Sequence, residues 1–258
     1  MNTPPLTITF LGTGTSGGVP MIGCDCEVCR STDKKDKRLR SSILIRSPHT
    51  TLVVDSGPDF RYQMLRADVK HLDAIVYTHS HKDHVAGLDD VRAYNFFSGQ
   101  PMPVYSDEMT QQVLIREFPY AFKDTRYPGV PEIQLNSIAL EPFTVGDIPV
   151  IPVQVWHLKM PVLGYRFGKF TYITDANRID ESEKQKIRGS EVLVLNTLRK
   201  QKHISHFSLQ EGIDLARELD IPQVWFTHMS HQMGKHADVC AELPPGISLG
   251  YDMLQITV

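Results

Sequence analysis

The sequence has few of the features that mark secreted, membrane-spanning or nucleic-acid-coating proteins. Only four of its 258 residues are cysteine, and 27 Lys and Arg against 30 Asp and Glu leave a formal net charge of −3. No apolar run approaches the ~18 residues of a membrane span, and the start, MNTPPLTITF, lacks a secretory signal. We therefore predict a cytoplasmic protein for which membranes and nucleic acid are not the expected partners.

The rest of the composition is that of an ordinary globular chain, with 41% hydrophobic and 22% charged residues. Because the sequence contains no linker-like, low-complexity or repeated segment, residues 1–258 are expected to form a single domain. An irregular surface excursion is expected at residues 119–136. The basic run DKKDKRLR, residues 33–40, is interpreted as a solvated face.

Short apolar, β-rich runs dominate the sequence, and helical segments occur between them. This pattern is typical of a layered α/β domain in which helices cover sheets. The clearest helix signal is SLQEGIDLARELD, where Ser208 and Glu211 have the spacing of a capping box. Strands are predicted at residues 6–11, 42–46, 51–55, 73–78, 148–156, 164–168, 170–174, 191–196, 223–227 and 253–258, and helices at residues 59–67, 84–97, 107–118 and 208–220.

The segment THSHKDH, residues 78–84, places four metal-binding side chains in one short stretch. It follows the apolar run DAIVYT directly, and strand ends are where open α/β folds place their chemistry. His79 and His81 point the same way in an extended chain, whereas Asp83 and His84 come one turn later and can face a second ion. Imidazole and carboxylate together suit zinc, manganese or iron.

Further candidates also follow predicted strands. His157 comes after IPVIPVQVW, Asp175 after FTYIT, and His228 after QVWFT. A carboxylate can bridge two ions ~3.5–4 Å apart, and Asp175 is the candidate for this role. Asp55, which ends TLVVD, is interpreted as a carboxylate that orients the ligand loop through hydrogen bonds.

These motifs resemble those of a known family. HSHKDH fits the HxHxDH motif of the metallo-β-lactamase superfamily, and VVDSG, HLK, TDAN and FTHMSH stand in that family's order. FLGTGTSGGVPMIGCDCEVC and THMSHQ are similar to segments of the PhnP-like phosphodiesterases of the carbon–phosphorus lyase pathway. The resemblance implies a four-layer αββα sandwich, in which two mixed β-sheets are flanked by helices.

The resemblance also implies roles for the candidate residues. Two divalent cations, manganese or zinc, are expected at the active site. Asp83 and His206 are the catalytic candidates, and His206, two residues ahead of the capped helix, would protonate a leaving oxygen. The implied ligands are His79, His81 and His157 for one cation, Asp83, His84 and His228 for the other, and Asp175 as the bridge.

The segment GCDCEVC supplies Cys24, Cys26 and Cys29 in a tight loop. In a reducing compartment such clustering favours a structural zinc ion over disulfides, and tetrahedral zinc needs a fourth ligand. Chemistry alone would allow Cys240, whereas the PhnP-like pattern points to His231. The resemblance favours His231, and the choice stays open at this point.

The turn GTGTSGG satisfies the pattern G-x-G-x-x-G, but a cysteine loop follows it in place of the helix that a dinucleotide site requires. No nucleotide cofactor is therefore expected, and the glycines are interpreted as allowing close backbone approach near the site. A phosphate contact from a hydroxyl of this turn is left open. His203, and also His49, His71 and His236, are interpreted as surface residues.

We expect an enzyme that hydrolyses a small-molecule phosphodiester, such as a cyclic ribose phosphate, with water made nucleophilic between two cations. The alternative is an RNA phosphodiesterase that resembles the tRNA 3′-processing endonucleases, which share the FLGTGT start; the net acidic balance speaks against it. Thioester, lactone or lactam chemistry on the same frame stays conceivable, and so does a non-catalytic metal-binding module. The sequence leaves open whether the chain forms a homodimer.

Overall fold

Two β-sheets form the centre of the fold. The computed structural model describes residues 4–123 and 128–258. Each sheet has seven strands. In chain order the strands are β1 (Thr7–Gly12), β2 (Ser42–Arg46), β3 (Thr51–Val54), β4 (Ala74–Val76), β5 (Met102–Ser106), β6 (Ile133–Ser137), β7 (Phe143–Val145), β8 (Ile148–His157), β9 (Met160–Phe167), β10 (Phe170–Ile173), β11 (Val192–Asn196), β12 (Gln223–Thr227), β13 (Ile247–Leu249) and β14 (Gln255–Thr257).

Both sheets are mixed. The first has the order β14-β1-β2-β3-β4-β5-β6, antiparallel from β14 to β3 and parallel from β3 to β6. The second has the order β13-β12-β11-β10-β9-β8-β7, parallel from β13 to β10 and antiparallel from there to β7. Because parallel strands carry their carboxyl ends to one edge of a sheet, the loops after β3 and β4 are neighbours, and so are those after β10 and β12.

Alternation of side chains along the strands builds the core in layers. In β2, Ile43 and Ile45 belong to the buried cluster between the sheets, together with Tyr165 of the second sheet. Leu44, between them, points to the opposite face and packs in the cluster that contains Phe60 of the adjoining helix. The sheets therefore share one apolar interior, and each outer face is left for helices to cover.

The helices lie on the outer faces of the two sheets. Phe60 and Leu114 bring their helices onto the first sheet, and Ala216 and Val239 bring theirs onto the second. The four-layer αββα sandwich is therefore confirmed. The helices are α1 (Glu27–Arg30), α2 (Phe60–Arg66), α3 (Lys82–Val85), α4 (Arg92–Ser98), α5 (Glu108–Glu117), α6 (Glu181–Ile187), α7 (Leu209–Leu219) and α8 (His236–Glu242), and 3-10 turns lie at Lys34–Asp36, Leu88–Val91, Pro119–Ala121 and His231–Met233.

Helix α7 begins as the sequence predicts. The Ser208 hydroxyl accepts a hydrogen bond from the backbone N–H of Glu211, and the Glu211 carboxylate accepts one from the backbone N–H of Ser208. A cap of this kind stabilises a helix by about 1 kcal/mol. The single helix predicted at residues 84–97 is instead divided between α3, a 3-10 turn and α4. The division lies near Gly87, where a Cβ atom would come within 2.1 Å of the Gly57 carbonyl oxygen.

Two other expectations are corrected. The basic run at residues 33–40 is not a uniformly solvated face, because Arg38 is 5% exposed and donates hydrogen bonds to Thr13 Oγ1 and to the Gly250 carbonyl. The excursion expected at residues 119–136 contains a 3-10 turn and most of β6, while its residues 124–127 lie outside the described part of the chain. Within residues 4–123 and 128–258, no helix has both the length and the apolar character of a membrane span.

Candidate metal centres

The loop after β4 carries the HxHxDH motif and is joined to the second sheet. The Thr78 carbonyl accepts a hydrogen bond from the backbone N–H of Leu163 in β9, at 3.0 Å. His81 is extended (φ −63°, ψ 148°) and directly precedes α3, so Asp83 and His84 fall in the first turn of that helix. The change from extended chain to helix therefore directs His79 and His81 toward one side of the candidate site, and Asp83 and His84 toward another.

Asp55, in the loop after β3, holds this motif in place. Its carboxylate accepts hydrogen bonds from the backbone N–H and the hydroxyl of Thr78, both at 2.8 Å, and from His84 Nδ1 at 2.7 Å. Since the Asp55 contact takes Nδ1 of His84, Nε2 of that ring points to the candidate site. The interpretation of Asp55 as an orienting carboxylate agrees with these contacts.

Three site residues have left-handed backbone conformations that only glycine adopts without strain. The φ angles are +66° at Asp55, +56° at Asp175 and +57° at His228. Each such conformation costs about 1–2 kcal/mol in a residue with a Cβ atom, so the surrounding fold must hold it. Asp55 and His228 directly follow β3 and β12, and Asp175 lies two residues after the end of β10. The turns there bring Asp175 and His228 together and direct the Asp55 carboxylate to Thr78 and His84.

The seven predicted ligands converge, and Asp175 is common to every group. His228 Nδ1 lies 3.0 Å from Asp175 Oδ1, and Nε2 of both His79 and His84 lies 3.5 Å from an oxygen of the same carboxylate. The groups whose donor atoms all lie within 4.8 Å of one another are Asp83, His84, Asp175 and His228; His79, His81 and Asp175; and His157, Asp175 and His206.

His157 lies near both His206 and the two histidines with which it was expected to share a cation. Its ring centroid lies 4.6 Å from that of His206, 5.2 Å from that of His81 and 6.3 Å from that of His79. His157 therefore lies on the side of the space where His206 enters. Its Nδ1–H donates to the Ser205 carbonyl at 2.8 Å, which leaves Nε2 to face Asp175. The assignment of each residue to a particular cation stays a prediction.

Metal binding requires neutral imidazoles and ionised carboxylates, and the pKa shifts of three histidines and of Asp175 favour these forms. Burial lowers the pKa of His79, His81 and His157. Burial opposes ionisation of Asp175, but His228 and His84 outweigh it and hold the pKa of this carboxyl well below its usual range. The surrounding carboxylates raise the pKa of His84 well above its ordinary value in spite of burial, so this cluster of acids needs positive charge beside it.

Buried ring nitrogens complete the fit to a metal. Nε2 of His79, of His84 and of His206 is buried and makes no hydrogen bond within the described residues. Such an atom costs about 1–3 kcal/mol when it is removed from water without a partner. On His79 and His84, lone pairs held against an ionised carboxylate are what zinc or manganese would use, so the residues present fit divalent cations.

His206 reaches the site from the loop before α7. Its neighbours Ser205 and His203 contact it there, which the sequence did not predict. Its Nε2 lies 3.7 Å from Asp175 Oδ2, and its Nδ1 contacts Ser205 Oγ and His203 Nδ1 at 2.9 and 3.3 Å. His203 is therefore more than a surface histidine. The spacing HxSH was the only signal in the sequence, and it names no chemistry without the loop geometry.

The cysteine loop forms a second, separate cluster. Donor atoms of Cys24, Cys26, Cys29 and His231 all lie within 4.8 Å of one another, and His231 Nδ1 is 3.3 Å from the sulfurs of both Cys24 and Cys26. The backbone N–H of Cys29 lowers the pKa of the Cys26 thiol to about 6, whereas burial raises that of Cys29 to about 11. Four donors of this type fit a closed tetrahedral zinc shell.

Cys240, the alternative fourth ligand, lies elsewhere. Its sulfur is 3.6 Å from His236 Nε2, on α8. His236 was expected at the surface, and this expectation is wrong: the residue is 7% exposed, and its Nδ1 lies 3.4 Å from the Arg38 guanidinium. The geometry therefore favours His231, three residues after His228, as the completing ligand.

The glycine-rich turn lies against the site. At Gly12 a Cβ atom would come within 2.0 Å of the Arg40 carbonyl oxygen, and Gly14 forms β-bridges with both Arg40 and Met229, so the glycines permit close backbone approach as expected. Thr15 Oγ1 lies 3.2 Å from His228 Nε2. Nδ1 of His228 faces Asp175, so the contact of Nε2 with this hydroxyl fixes the other side of the ring and orients it.

The comparisons with known proteins agree with this geometry. A family model described as a beta-lactamase superfamily domain matches residues 50–229. A crystal structure described as a new diphosphatase from the PhnP family superposes with a TM-score of 0.94 at 38% identity, covering 100% of this chain and 98% of that one. The likeness therefore extends over essentially the whole of both chains.

Two curated relatives are longer than this chain. An octanoyltransferase from Porphyromonas gingivalis (strain ATCC BAA-308 / W83) is 37% identical over 252 residues, which is 96% of this chain and 51% of that relative. A ribonuclease Z from Crocosphaera subtropica (strain ATCC 51142 / BH68) is 38% identical over 106 residues, 39% of this chain and 29% of that protein. The chain thus spans about half the length of the first relative.

Proposed function

This chain belongs to the beta-lactamase superfamily, and from that premise we propose that it is a two-metal hydrolase of small phosphodiesters or diphosphates. The observation that carries the proposal is the convergence of six histidine and aspartate side chains on a seventh, Asp175. The likeness to a PhnP-family diphosphatase over the full chain supports phosphoryl chemistry over other reactions of the same fold. A cyclic ribose phosphate is the first substrate to test.

The residues that would hold the two cations are the seven that converge, with Asp175 between the groups. Bound there, divalent ions would make water acidic enough to attack and would neutralise charge on the phosphoryl oxygens. Asp55 and Thr15 hold His84 and His228 in the ring orientations described above, so the donor atoms are in place before substrate arrives.

His206 is placed to act on the substrate itself. Its ring stacks on that of His228 at 5.1 Å between centroids, and its Nε2 is directed at the space beside Asp175. A proton held at this nitrogen can be given to the leaving oxygen, and this assistance is worth about 10²–10⁴-fold in rate. His81 and His157 are half-buried, so the space is open to solvent on their side.

The test is a substrate panel on metal-reconstituted protein. Bis-p-nitrophenyl phosphate, a 2′,3′-cyclic nucleotide, a 1,2-cyclic ribose phosphate, a dinucleoside diphosphate, a thioester and a β-lactam should be compared by kcat/KM. His71→Ala is the control variant, because His71 is an exposed residue whose ring contacts Asp73, away from the site. Hydrolysis of the phosphorus substrates alone supports the proposal, and hydrolysis confined to the thioester or lactam overturns it.

An RNA phosphodiesterase is the second candidate, because the Crocosphaera ribonuclease Z is 38% identical over its matching segment. The formal charge of −3 gives no broad basic surface for the RNA backbone. Cleavage of a 3′-extended tRNA precursor whose efficiency falls steeply with salt would favour this candidate. Cleavage of small diesters with little dependence on salt would favour the first.

A further inference from the structure

Two exposed apolar side chains lie beside the histidine–aspartate site. Leu158 is 49% exposed and directly follows His157, and Ile204 is 75% exposed and directly precedes Ser205. The Ser205 carbonyl accepts the hydrogen bond from His157 Nδ1, so each apolar residue is one position away from a partner in that contact. Leu158 and Ile204 therefore lie on two loops that meet at a candidate metal ligand.

The side chain of Asn177 joins these two loops. Its Oδ1 accepts a hydrogen bond from the backbone N–H of Leu158 at 2.8 Å, and its Nδ2 donates one to the Ile204 carbonyl at 3.1 Å. The backbone N–H of Asn177 also donates to the Trp156 carbonyl at 2.9 Å. Because a single amide group makes both side-chain contacts, Leu158 and Ile204 are held close together, and the two residues form an apolar rim of the site.

The backbone at Leu158 is strained. Its φ angle is +58°, in the left-handed region that glycine adopts freely and that residues with a Cβ atom rarely adopt. Glycine at this position would relieve the strain and would leave no apolar side chain in water. Strain of this kind persists where the surrounding structure enforces it, and it is concentrated at functional sites. A leucine in such a position, next to a candidate ligand, therefore points to a contact made in function.

Packing within the fold does not explain why either side chain is apolar. In the described part of the chain, neither belongs to a hydrophobic cluster, whereas the next apolar residues along the chain, Met160 and Phe207, pack against the core of the second sheet. The site is open to solvent on the side of His81 and His157, where the rim lies. A substrate has to enter from this side, so the part of it that extends beyond the reacting phosphorus would cover the rim.

The chemistry of the rim indicates what that part of the substrate is. The side chains of Leu158 and Ile204 carry neither charge nor a hydrogen-bonding group, so they gain nothing from a phosphate or a sugar hydroxyl. A flat aromatic ring has a broad apolar face, and its removal from water against two aliphatic side chains is favourable. Contacts of this type depend on the presence of a ring and much less on the polar groups at its edge.

We propose that Leu158 and Ile204 form a binding surface for a flat aromatic ring of the substrate, such as a nucleobase, and that Asn177 is the residue that positions them. This inference rests on the proposed phosphodiester hydrolysis and favours, among its substrates, cyclic phosphates that carry a base. The contact is the same in the bound substrate and in the transition state, so its loss should raise KM and leave kcat nearly unchanged.

The first test compares two cyclic phosphates of ribose, one with a base and one without. With metal-reconstituted protein, Leu158→Ser and Ile204→Ser should each raise KM about 5-fold for 2′,3′-cyclic AMP, because part of the apolar contact is lost. KM for 1,2-cyclic ribose phosphate should change little. Leu158→Met and Ile204→Val keep an apolar surface and should keep most of the affinity. Leu65→Ser, which removes an exposed leucine from the last turn of α2, is the matched control and should alter neither KM.

The second test needs no turnover. In zinc-loaded protein with ¹³C-labelled methyl groups, adenosine 2′-monophosphate should shift the methyl signals of Leu158 and Ile204 through the ring current of the base, and inorganic phosphate should not. Asn177→Ala should reduce both shifts at saturating nucleotide while the zinc content stays the same, since the two loops are no longer joined. Equal shifts with nucleotide and with inorganic phosphate would overturn the inference.

The two levels of the proposal fail in different ways. If the unaltered protein cleaves none of the phosphorus substrates, the proposed function fails, whatever the methyl signals show. If it cleaves both cyclic phosphates and the serine variants raise KM by the same factor for each, Leu158 and Ile204 have only a structural role and the further inference fails. Methyl signals that do not respond to the nucleotide lead to the same conclusion.

Discussion

The histidine–aspartate site and the cysteine cluster are built from the chain in opposite ways. The first takes its side chains from the last residue of β8 and from the segments that follow β4, β10 and β12, in both sheets, and Asp175 and His228 there are almost fully buried. The second takes three sulfurs from the segment Cys24–Cys29 and lies nearer the surface. The first site thus requires the assembled fold, whereas the second is a local loop closed by one distant histidine.

The largest effect is expected at the residue that every group of the first site shares. Asp175→Ala should remove the active-site cations and lower kcat/KM by roughly 10³-fold or more, because several kcal/mol of charge stabilisation are lost. The zinc of the cysteine cluster should stay bound. Elemental analysis and kinetics on the same sample make the measurement. Full occupancy of both active-site positions in the variant would contradict the shared role of Asp175.

Removal of a ligand from the cysteine cluster should affect the stability of the protein more than its activity. His231→Ala should release its zinc and lower the free energy of unfolding by roughly several kcal/mol, since the ion is bound only in the folded chain. Cys240→Ala is the matched control and should keep the ion, because its sulfur contacts His236 instead. Thermal unfolding and zinc content distinguish the two, and loss of zinc from Cys240→Ala alone would reverse the assignment.

Low pH should lower the free energy of unfolding through His236, which lies on α8 beside the cysteine cluster. Burial and then the nearby Arg38 lower the pKa of His236 from 6.5 to about 4. Between these values the unfolded chain binds a proton that the folded chain does not, so stability falls as the pH drops from 6.5 toward 4, by up to about 3 kcal/mol. His236→Asn keeps an acceptor for Arg38 and should make the denaturant midpoint less dependent on pH; an unchanged slope would sink this expectation.

The smallest effect is expected where the glycine-rich turn meets the first site. Thr15→Val removes the hydroxyl that contacts His228 Nε2, and kcat/KM should fall about 10-fold. Ser16→Ala, one residue on and exposed, should change little. Steady-state kinetics at saturating metal, with a metal titration, measure the effect. If both variants are equally active, Thr15 does not orient the ring.

Much of the first site follows from where apolar runs end in the sequence. THSHKDH, His157, Asp175 and His228 each come at the end of a run that forms a strand, and the order of the motifs led to the αββα fold that the structure shows. Strands β5, β6, β7 and β13 and helices α1, α6 and α8 were missed. Their stretches are short, contain proline or charge, and are held by neighbours far away in the chain.

The misses at single residues have a common cause. Arg38 and His236 are charged or titratable residues, which usually lie at the surface, but each is buried against the other. His203 was interpreted as an isolated histidine because its partners, Ser205 and His206, have significance only once the loop turns three side chains together. Pairings of this kind depend on tertiary contacts, which no local pattern records.

The three-residue step from His228 to His231 places one loop in both candidate metal-binding clusters. An ion bound in either cluster would restrict the backbone on which the other cluster depends, so the two occupancies would be thermodynamically linked even though the clusters share no donor atom. Loss of zinc from the cysteine cluster, when zinc is scarce, would then weaken cation binding at the histidine–aspartate site.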